Sequence, residues 1–166
     1  MSTFAAALAR TDQGWTGVEL DLSEVDDLES LTDLLRDLTG DGPGPALLLL
    51  EEDEEHLAIV RVDGGAAGLD DPRVFVSDRR AVEASENVGM LYDDLDPPRE
   101  DEDEDEEAPR TLAEPVGDSD LLADLGTPAA DLLELCAEKG LLPGDVLAEV
   151  CERAGCAPQL EALREA

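Results

Sequence analysis

The stretch ALLLLEEDEEHLAIVRV, from Ala46 to Val62, decides the fold of the first half of this chain. It opens with an uninterrupted apolar run, Ala46–Leu50, that is too short for a typical globular helix and is typical of a strand covered on both faces. The five carboxylates of Glu51–Glu55 cannot be buried together, so we expect the chain to reach solvent there and turn back. His56–Val62 is then the partner strand. The rest of the chain must supply layers that cover both faces of this hairpin.

Three more strands are predicted around this hairpin. Thr3–Ala9 and Trp15–Leu20 have the residue pattern of two strands joined by a short turn, and Val74–Val76 forms a short fifth strand. Because consecutive strands joined by short turns pair antiparallel, we expect a mostly antiparallel five-stranded sheet.

Two helices are predicted to cover one face of that sheet. Apolar residues recur at helical spacing from Val25 to Leu38, and Ser23 stands where an N-cap belongs. A second, shorter helix is expected over Asp78–Ser85. The element order is therefore ββαβββα, which is an α+β arrangement.

The composition changes sharply over residues 93–118. This span contains thirteen acidic residues, two arginines and four prolines, and Glu100–Glu107 is an unbroken run of eight carboxylates. Such a run repels itself and buries no apolar surface, so we predict a disordered or extended linker.

An internal repeat indicates a C-terminal module of short helices. Leu133–Pro143 (LELCAEKGLLP) and Ala148–Pro158 (AEVCERAGCAP) align at a separation of 15 residues, so that glycines and prolines coincide. Glycine commonly follows the end of a helix and proline commonly begins one. We therefore predict an all-α bundle with helices at about residues 120–125, 128–139, 143–154 and 158–165.

These patterns divide the chain into an α+β domain over residues 1–92, the linker at 93–118 and a helical module over 119–166. The sequence leaves open whether the two modules touch each other.

The charge of the chain restricts its partners. With 44 acidic and 11 basic side chains the formal charge is −33, which opposes direct binding to nucleic acid or to anionic membranes. Three cysteines without a secretory signal favour a reducing compartment, and no apolar run approaches the roughly 20 residues that cross a bilayer. We therefore expect a cytoplasmic protein whose partners present basic surfaces, although adaptation to high salt would also explain such acidity.

No motif for a cofactor, a metal or catalysis is present in the sequence. Cys136, Cys151 and Cys156 lack the Cys-x-x-Cys or histidine spacing of zinc sites and are interpreted as small buried side chains. His56 follows five carboxylates and could act as an acid or base, but we interpret it as a surface residue at the start of a strand. We predict that the chain is not an enzyme and has no cofactor or metal site.

The candidate contact residues come from two charged stretches. The acidic run has three readings: a solvated linker, a flexible arm that docks on a basic surface, or a cation-binding segment. The adjacent arginines either pair with local acids such as Glu83 or mark a contact site. The candidate partner contacts are Arg79, Arg80, Glu100, Asp101, Glu102, Asp103, Glu104, Asp105, Glu106 and Glu107.

Several stretches together resemble the actinobacterial tRNA adenosine deaminase-associated proteins. The resemblance is carried by TFAAALARTDQGW, PALLLLEEDEEHLAIVRVD, DPRVFVSD, the acidic middle and LLADLGTPAADLLELCAEKGLLPGDVLAEVCERAGC, nearly the whole chain. It implies a role beside the tRNA-editing deaminase and brings no catalytic residue with it. The chain is not the deaminase itself, because His56 is followed by Leu57 and Ala58 rather than by the His-x-Glu motif, and Cys-x-x-Cys is absent.

Two functions follow as hypotheses. The first is a non-catalytic accessory protein that binds a basic protein partner, the tRNA adenosine deaminase by resemblance. The second is an acidic nucleic-acid mimic that inhibits a basic RNA- or DNA-binding protein by occupying its nucleic-acid site. The oligomeric state is not predicted.

Overall fold

The computed structural model of the chain describes residues 3–11, 14–25, 27–39, 45–52, 56–63, 73–78, 87–89, 115–137 and 142–165. Within them six strands form one sheet in the order β2-β1-β3-β4-β5-β6, with every neighbouring pair antiparallel. The strands are β1 Thr3–Thr11, β2 Gly14–Glu19, β3 Pro45–Glu52, β4 His56–Asp63, β5 Arg73–Val76 and β6 Val116–Gly117. The predicted α+β class and the five predicted strands are confirmed, and β6 is an addition.

The described residues also contain four α-helices, a helical segment at residues 87–89 and two short 3₁₀ turns. The helices are α1 Leu28–Thr39, α2 Ala129–Ala137, α3 Pro143–Ala154 and α4 Ala157–Glu165, and the 3₁₀ turns are Leu22–Glu24 and Ala123–Leu125. Three of the four predicted C-terminal helices are confirmed with small shifts of their ends, whereas the one expected at about residues 120–125 is a turn followed by the 3₁₀ segment Ala123–Leu125. The helix predicted over Asp78–Ser85 lies almost wholly outside the described residues. Each described helix is too short or too polar to span a lipid bilayer.

The N-cap of α1 is not Ser23, as predicted, but Asp27. Ser23 belongs to the 3₁₀ turn Leu22–Glu24, and α1 begins at Leu28. The Asp27 carboxylate accepts a hydrogen bond from the Ser30 backbone N–H at 2.9 Å, which satisfies one of the unpaired donors of the first turn. This hydrogen bond lowers the pKa of Asp27.

The central strand β3 is covered on both faces, as the apolar run predicts. Alternate residues of the sheet point into two separate cores, because successive side chains of a strand face opposite ways. One core lies between the sheet and α1, and its sheet residues include Ala46, Leu48 and Leu50. The other core contains Leu47 and Leu49 and is closed by residues of the C-terminal segment.

The C-terminal helices therefore form the layer on the second face of the sheet. The members of this second core are Ala6, Leu8, Leu47, Leu49, Leu57, Ile59, Phe75, Leu121, Leu122, Leu125, Leu132, Val146, Leu147, Val150, Cys151, Cys156 and Leu160. The expectation of helices on one face alone was wrong, because an apolar strand such as β3 needs cover on both sides. The structure thus has a helical layer on each face of the sheet.

The division of the chain at residues 92 and 119 stays a prediction, since residues 90–114 lie outside the described ones. The last residues of the predicted linker, however, join the sheet. Val116 pairs with Val76 and Gly117 with Phe75. The backbone N–H of Asp118 then donates to Val74 O at 2.8 Å. The chain is thereby fixed at the sheet edge just before the helical layer begins.

Candidate partner-binding surface

The contact residues predicted from the sequence lie outside the described part of the chain. This holds for Arg79, Arg80 and every residue of Glu100–Glu107. Their role as contacts stays a prediction. A candidate surface has to be built from the side chains that the structure describes.

The last paired residues of β3 and β4 belong to a buried polar cluster. Glu52 and His56 are direct cross-strand partners, and both are at least nine-tenths buried. Their side chains meet with Nε2 of His56 2.9 Å from Oε1 of Glu52, and Asn87 Nδ2 donates to Oε2 at 2.8 Å. The expectation of a surface histidine was wrong, because Glu52 continues the strand and gives His56 a partner inside the fold.

This cluster is better interpreted as a structural contact than as a catalytic site. A carboxylate beside an imidazole can work as a general base when a substrate reaches it. Here both groups are enclosed, and Glu52 also binds Asn87 from a segment far along the chain. The cluster therefore ties the end of the hairpin to residues 87–89.

The C-terminal layer is joined to the sheet by a buried arginine. Arg61 lies in β4 with its side chain only 7% exposed. Its guanidinium donates to both carboxylate oxygens of Asp124, at 2.6 and 2.9 Å, and to Leu121 O at 2.6 Å. The hydrogen bond from Arg61 lowers the pKa of Asp124. A bidentate salt bridge of this kind fixes the orientation of the two side chains as well as their distance.

Two further arginine pairs reinforce the same joint. Arg73 Nε donates to Asp118 Oδ2 at 2.6 Å, and this hydrogen bond lowers the pKa of Asp118. Arg164 Nη2 donates to Glu51 Oε1 at 2.7 Å, and its guanidinium carbon lies 4.7 Å from the centre of the Phe4 ring. Carboxylates are thus neutralised where this layer meets the sheet.

The outer face of α1, in contrast to this joint, carries a row of exposed carboxylates. Glu29, Asp33 and Asp37 are exposed and recur every fourth residue, which places them in one row on the helix. Their spacing corresponds to a rise of about 6 Å between neighbours. Leu34 stands beside this row and is 42% exposed, a high value for a leucine. We call these four residues the α1 acidic row.

The acidic character extends toward β2. Glu19 at the end of β2 and Glu24 in the first 3₁₀ turn are also exposed. The carboxylates of Glu19, Glu24 and the α1 acidic row form no ion pair with any described residue. The α1 acidic row thus presents unpaired carboxylates on a helix that also carries Arg36. Glu19 is the ladder partner of Ala6 and lies at the β2 edge on the opposite face of the sheet.

The outer surface of the C-terminal helices is electrostatically mixed. Arg153 of α3 pairs with Asp131 of α2 at 2.8 Å and with Glu149 of α3 at 3.0 Å. The exposed carboxylates Glu134 and Glu152 also belong to these two helices. A cation among carboxylates weakens the field that an approaching charged partner experiences.

The cysteines belong to the second core. Cys151 and Cys156 are buried at the junction of α3 and α4, and the thiol of Cys151 hydrogen-bonds to that of Cys156, which raises the pKa of Cys151. Burial raises the pKa of Cys136 to about 11. The same hydrogen bond lowers the pKa of Cys156. Cys136 and Cys151 are poor nucleophiles because protonated thiols react slowly, and all three cysteines contribute to packing.

The α1 acidic row could have been found from the sequence. The spacing of Glu29, Asp33 and Asp37 is visible once the helix is predicted, but the acids of the linker are far more numerous and draw attention first. What the sequence does not show is which acids are neutralised by arginines from distant segments.

A family model matches most of the chain. The family model of the Rv3753c-like tRNA adenosine deaminase-associated proteins matches residues 3–157. No curated protein and no solved structure is significantly similar to the chain.

Proposed function

Because the chain belongs to this family of tRNA adenosine deaminase-associated proteins, we propose that it is a non-catalytic accessory protein that binds the deaminase through the α1 acidic row. One observation carries the proposal: this row is a set of exposed carboxylates that no described cation neutralises. Like charges four residues apart destabilise a helix, so their presence calls for a reason other than folding.

A basic partner supplies that reason. An enzyme that binds tRNA must present a cationic surface to the phosphates. A carboxylate row on a chain of charge −33 is attracted to such a surface before contact, which speeds association. Leu34 adds an apolar group within the charged row, and contacts of that kind resist salt.

The acidic run Glu100–Glu107 fits the same partner. As a flexible arm it would raise the local concentration of the chain near the basic surface without a fixed geometry of its own. The α1 acidic row then provides the oriented contact, because its carboxylates are held on a rigid helix.

The experiment is a titration of the deaminase with the full chain at low and high ionic strength. The test variant carries Glu29→Gln, Asp33→Asn and Asp37→Asn. At roughly 0.5 kcal/mol for each exposed contact, loss of three contacts weakens binding about tenfold. Binding by the wild type also weakens as salt is raised, because these charges are solvent-exposed.

A matched control removes the same total charge from the other side of the molecule. It carries Glu134→Gln, Glu152→Gln and Glu161→Gln, which are exposed carboxylates of α2, α3 and α4. The control is expected to bind within about threefold of the wild type, since its changes alter only the distant field. If both variants weaken binding equally, the effect is due to net charge rather than to the α1 acidic row. If no complex forms at low salt, the proposal is wrong.

The same titration separates an accessory protein from a nucleic-acid mimic. An accessory protein leaves the deamination rate unchanged or raises it. A mimic raises the apparent KM for tRNA and is displaced by tRNA, because both occupy one cationic site.

A further inference from the structure

The two edges of the sheet differ in how much backbone they expose. One edge is β6, which has only two residues. The other is β2, which has six residues and pairs with β1 alone. Short edge strands are a common protection against unwanted pairing, and β2 lacks that protection.

The hydrogen-bond alternation of the β1–β2 ladder shows which groups of β2 face outward. The Leu20 backbone N–H donates to Ala5 O at 2.9 Å, so Leu20 lies at a position bonded to β1. In an antiparallel pair, every second residue of a strand makes such bonds with its neighbour. The backbone groups of Thr16 and Val18 therefore hydrogen-bond to β1. The backbone groups of Gly17 and Glu19 then point away from the sheet. No described residue hydrogen-bonds to them.

The side chains of β2 do not guard this edge either. Natural edge strands commonly carry lysine, proline or a bulge, whereas β2 reads GWTGVE and has Glu19 as its single charge. Val18 is 38% exposed on the side of α1. On the other side α4 closes the space, since a Cβ built on Gly17 would lie 3.2 Å from Leu163 Cδ1. An added strand would therefore meet an apolar side chain on one face and a helix on the other.

The charge around β2 selects the kind of strand that fits. Exposed Glu19 stands at the end of β2, and exposed Glu24 stands in the 3₁₀ turn that leads into α1. If a second copy of this chain paired with β2, the same carboxylates of both copies would come together. Each copy has a formal charge of −33, so the two copies would repel each other. An extended segment with lysine or arginine side chains satisfies both the backbone and these carboxylates.

We propose that β2 pairs with an extended basic segment of the partner, which adds to the sheet as a further strand beside Gly17 and Glu19. This inference rests on the proposed function, because it names the element of the deaminase that is recognised. The α1 acidic row orients the partner by charge, and the β2 edge binds it through main-chain hydrogen bonds, as in other cases of strand addition.

Hydrogen exchange of individual amides tests the pairing in the unmodified full chain. On addition of the deaminase, the outward amides of Gly17 and Glu19 should exchange at least about tenfold more slowly. The amides of Thr16 and Val18 are already bonded to β1 and should change little. Protection that alternates along β2 is specific to an added strand, whereas a partner lying across the surface would protect neighbouring amides alike.

Two substitutions at one position separate backbone from charge. Glu19→Pro removes the outward N–H without removing a bond to β1, while Glu19→Ala keeps the N–H and removes the carboxylate. Glu19→Pro is expected to bind the deaminase about tenfold more weakly than Glu19→Ala, the effect of a lost main-chain hydrogen bond. Circular dichroism checks that both variants are folded, and the exchange experiment does not depend on either of them.

The outcomes distinguish this inference from the proposed function. If the α1 triple variant weakens binding while Glu19→Pro and Glu19→Ala bind alike and the β2 amides stay unprotected, the strand addition is wrong and the accessory role stands. Protection of β2 that grows with the concentration of the chain alone would assign the edge to a second copy and overturn the inference. If the wild type forms no complex at low salt, both proposals fail.

Discussion

On one face of the sheet, arginines from the strands and from α4 pair with carboxylates across the joint, as Arg61 does with Asp124 and Arg164 with Glu51. On the other face, α1 is held by aliphatic side chains, and its carboxylates stand in solvent. Both faces bury a comparable apolar core. The difference is that Arg61, Arg73 and Arg164 lie where two segments of the chain meet, whereas the carboxylates of the α1 acidic row form no ion pair with a described residue.

This distribution has a physical logic in a chain of charge −33. A carboxylate next to a buried surface costs free energy unless it is paired, so the arginines are most effective at the joint. A carboxylate in solvent costs little, and it keeps its charge available to a partner. The comparison therefore separates acids that hold the fold together from acids that are free to bind.

The largest expected effect comes from removing the buried arginine of the joint. Arg61→Met leaves Leu121 O without its donor and removes the partner of Asp124, and we expect a loss of about 3 kcal/mol in the free energy of unfolding. Arg73→Met is the control, because the Arg73–Asp118 pair is 37% exposed on both sides and should be worth less than about 1 kcal/mol. Urea unfolding measures both. Equal losses would show that burial does not set the strength of this joint.

A smaller loss is expected where β6 meets the sheet. Gly117 has a φ of +99°, and a Cβ on it would clash with the backbone oxygen of Val74. Gly117→Ala should lower the free energy of unfolding by about 2 kcal/mol or more, because conformational strain adds to a clash with rigid backbone. Gly155→Ala has a similar φ of +96° but its Cβ meets nothing closer than 3.7 Å. Gly155→Ala should lower the free energy of unfolding by only about 1 kcal/mol, as measured by thermal or urea unfolding. Equal losses for the two substitutions would contradict the anchoring role of β6.

Acid pH should weaken the arginine joint. The folded state lowers the pKa of Asp118 and of Asp124 through hydrogen bonds from Arg73 and Arg61. A carboxyl with a lowered folded pKa stabilises the fold fully above its unfolded pKa of about 3.9 and loses that contribution as the pH falls through the folded value. The free energy of unfolding should therefore fall on acidification below about pH 5. Asp124→Asn should make this dependence shallower, and an unchanged slope would argue against the pair.

The smallest expected effect is a gain in stability, from a change in the α1 acidic row. Asp33 stands one turn from both Glu29 and Asp37, so Asp33→Asn relieves two like-charge contacts at once. We expect the free energy of unfolding to rise by roughly 0.5 kcal/mol at low salt, and the gain to shrink as salt screens the repulsion. Asp131→Asn is the opposite case, because Asp131 pairs with Arg153, and it should be neutral or slightly destabilising. If both substitutions raise the free energy of unfolding, the effect is due to the overall charge of the chain rather than to repulsion within the α1 acidic row.

Much of the fold was predictable because it depends on local pattern. The run Ala46–Leu50 predicts a strand covered on both sides, and the repeated glycine and proline positions predict the ends of α3. These residues act through neighbours in sequence, which a single sequence displays. The prediction of α1 was correct for its apolar stripe and wrong for its cap, because Ser23 and Asp27 are both good caps and packing decides between them.

What could not be predicted depends on distant partners. The apolar side of a short helix shows that it will be covered but not by which surface, so the docking of α2, α3 and α4 on the sheet was left open. Val116–Gly117 is too short to produce a strand pattern. Arg61 in the apolar strand HLAIVRV was a usable signal, since a buried arginine requires a carboxylate from elsewhere. The candidate contacts Arg79, Arg80 and Glu100–Glu107 lie outside the described residues, so their prediction stands untested.

The position of the C-terminal helices has a consequence for synthesis. The strands from Thr3 to Val76 leave the ribosome before the helices that cover their second face, so Leu47, Leu49, Ile59 and Phe75 stay uncovered until residues 121–160 have also been synthesised. The acidic run Glu100–Glu107 emerges between the two, and its repulsion keeps nascent chains apart during that interval. A truncated chain that ends before residue 119 should therefore aggregate, while the complete chain should escape from chaperones once α4 has closed the sheet.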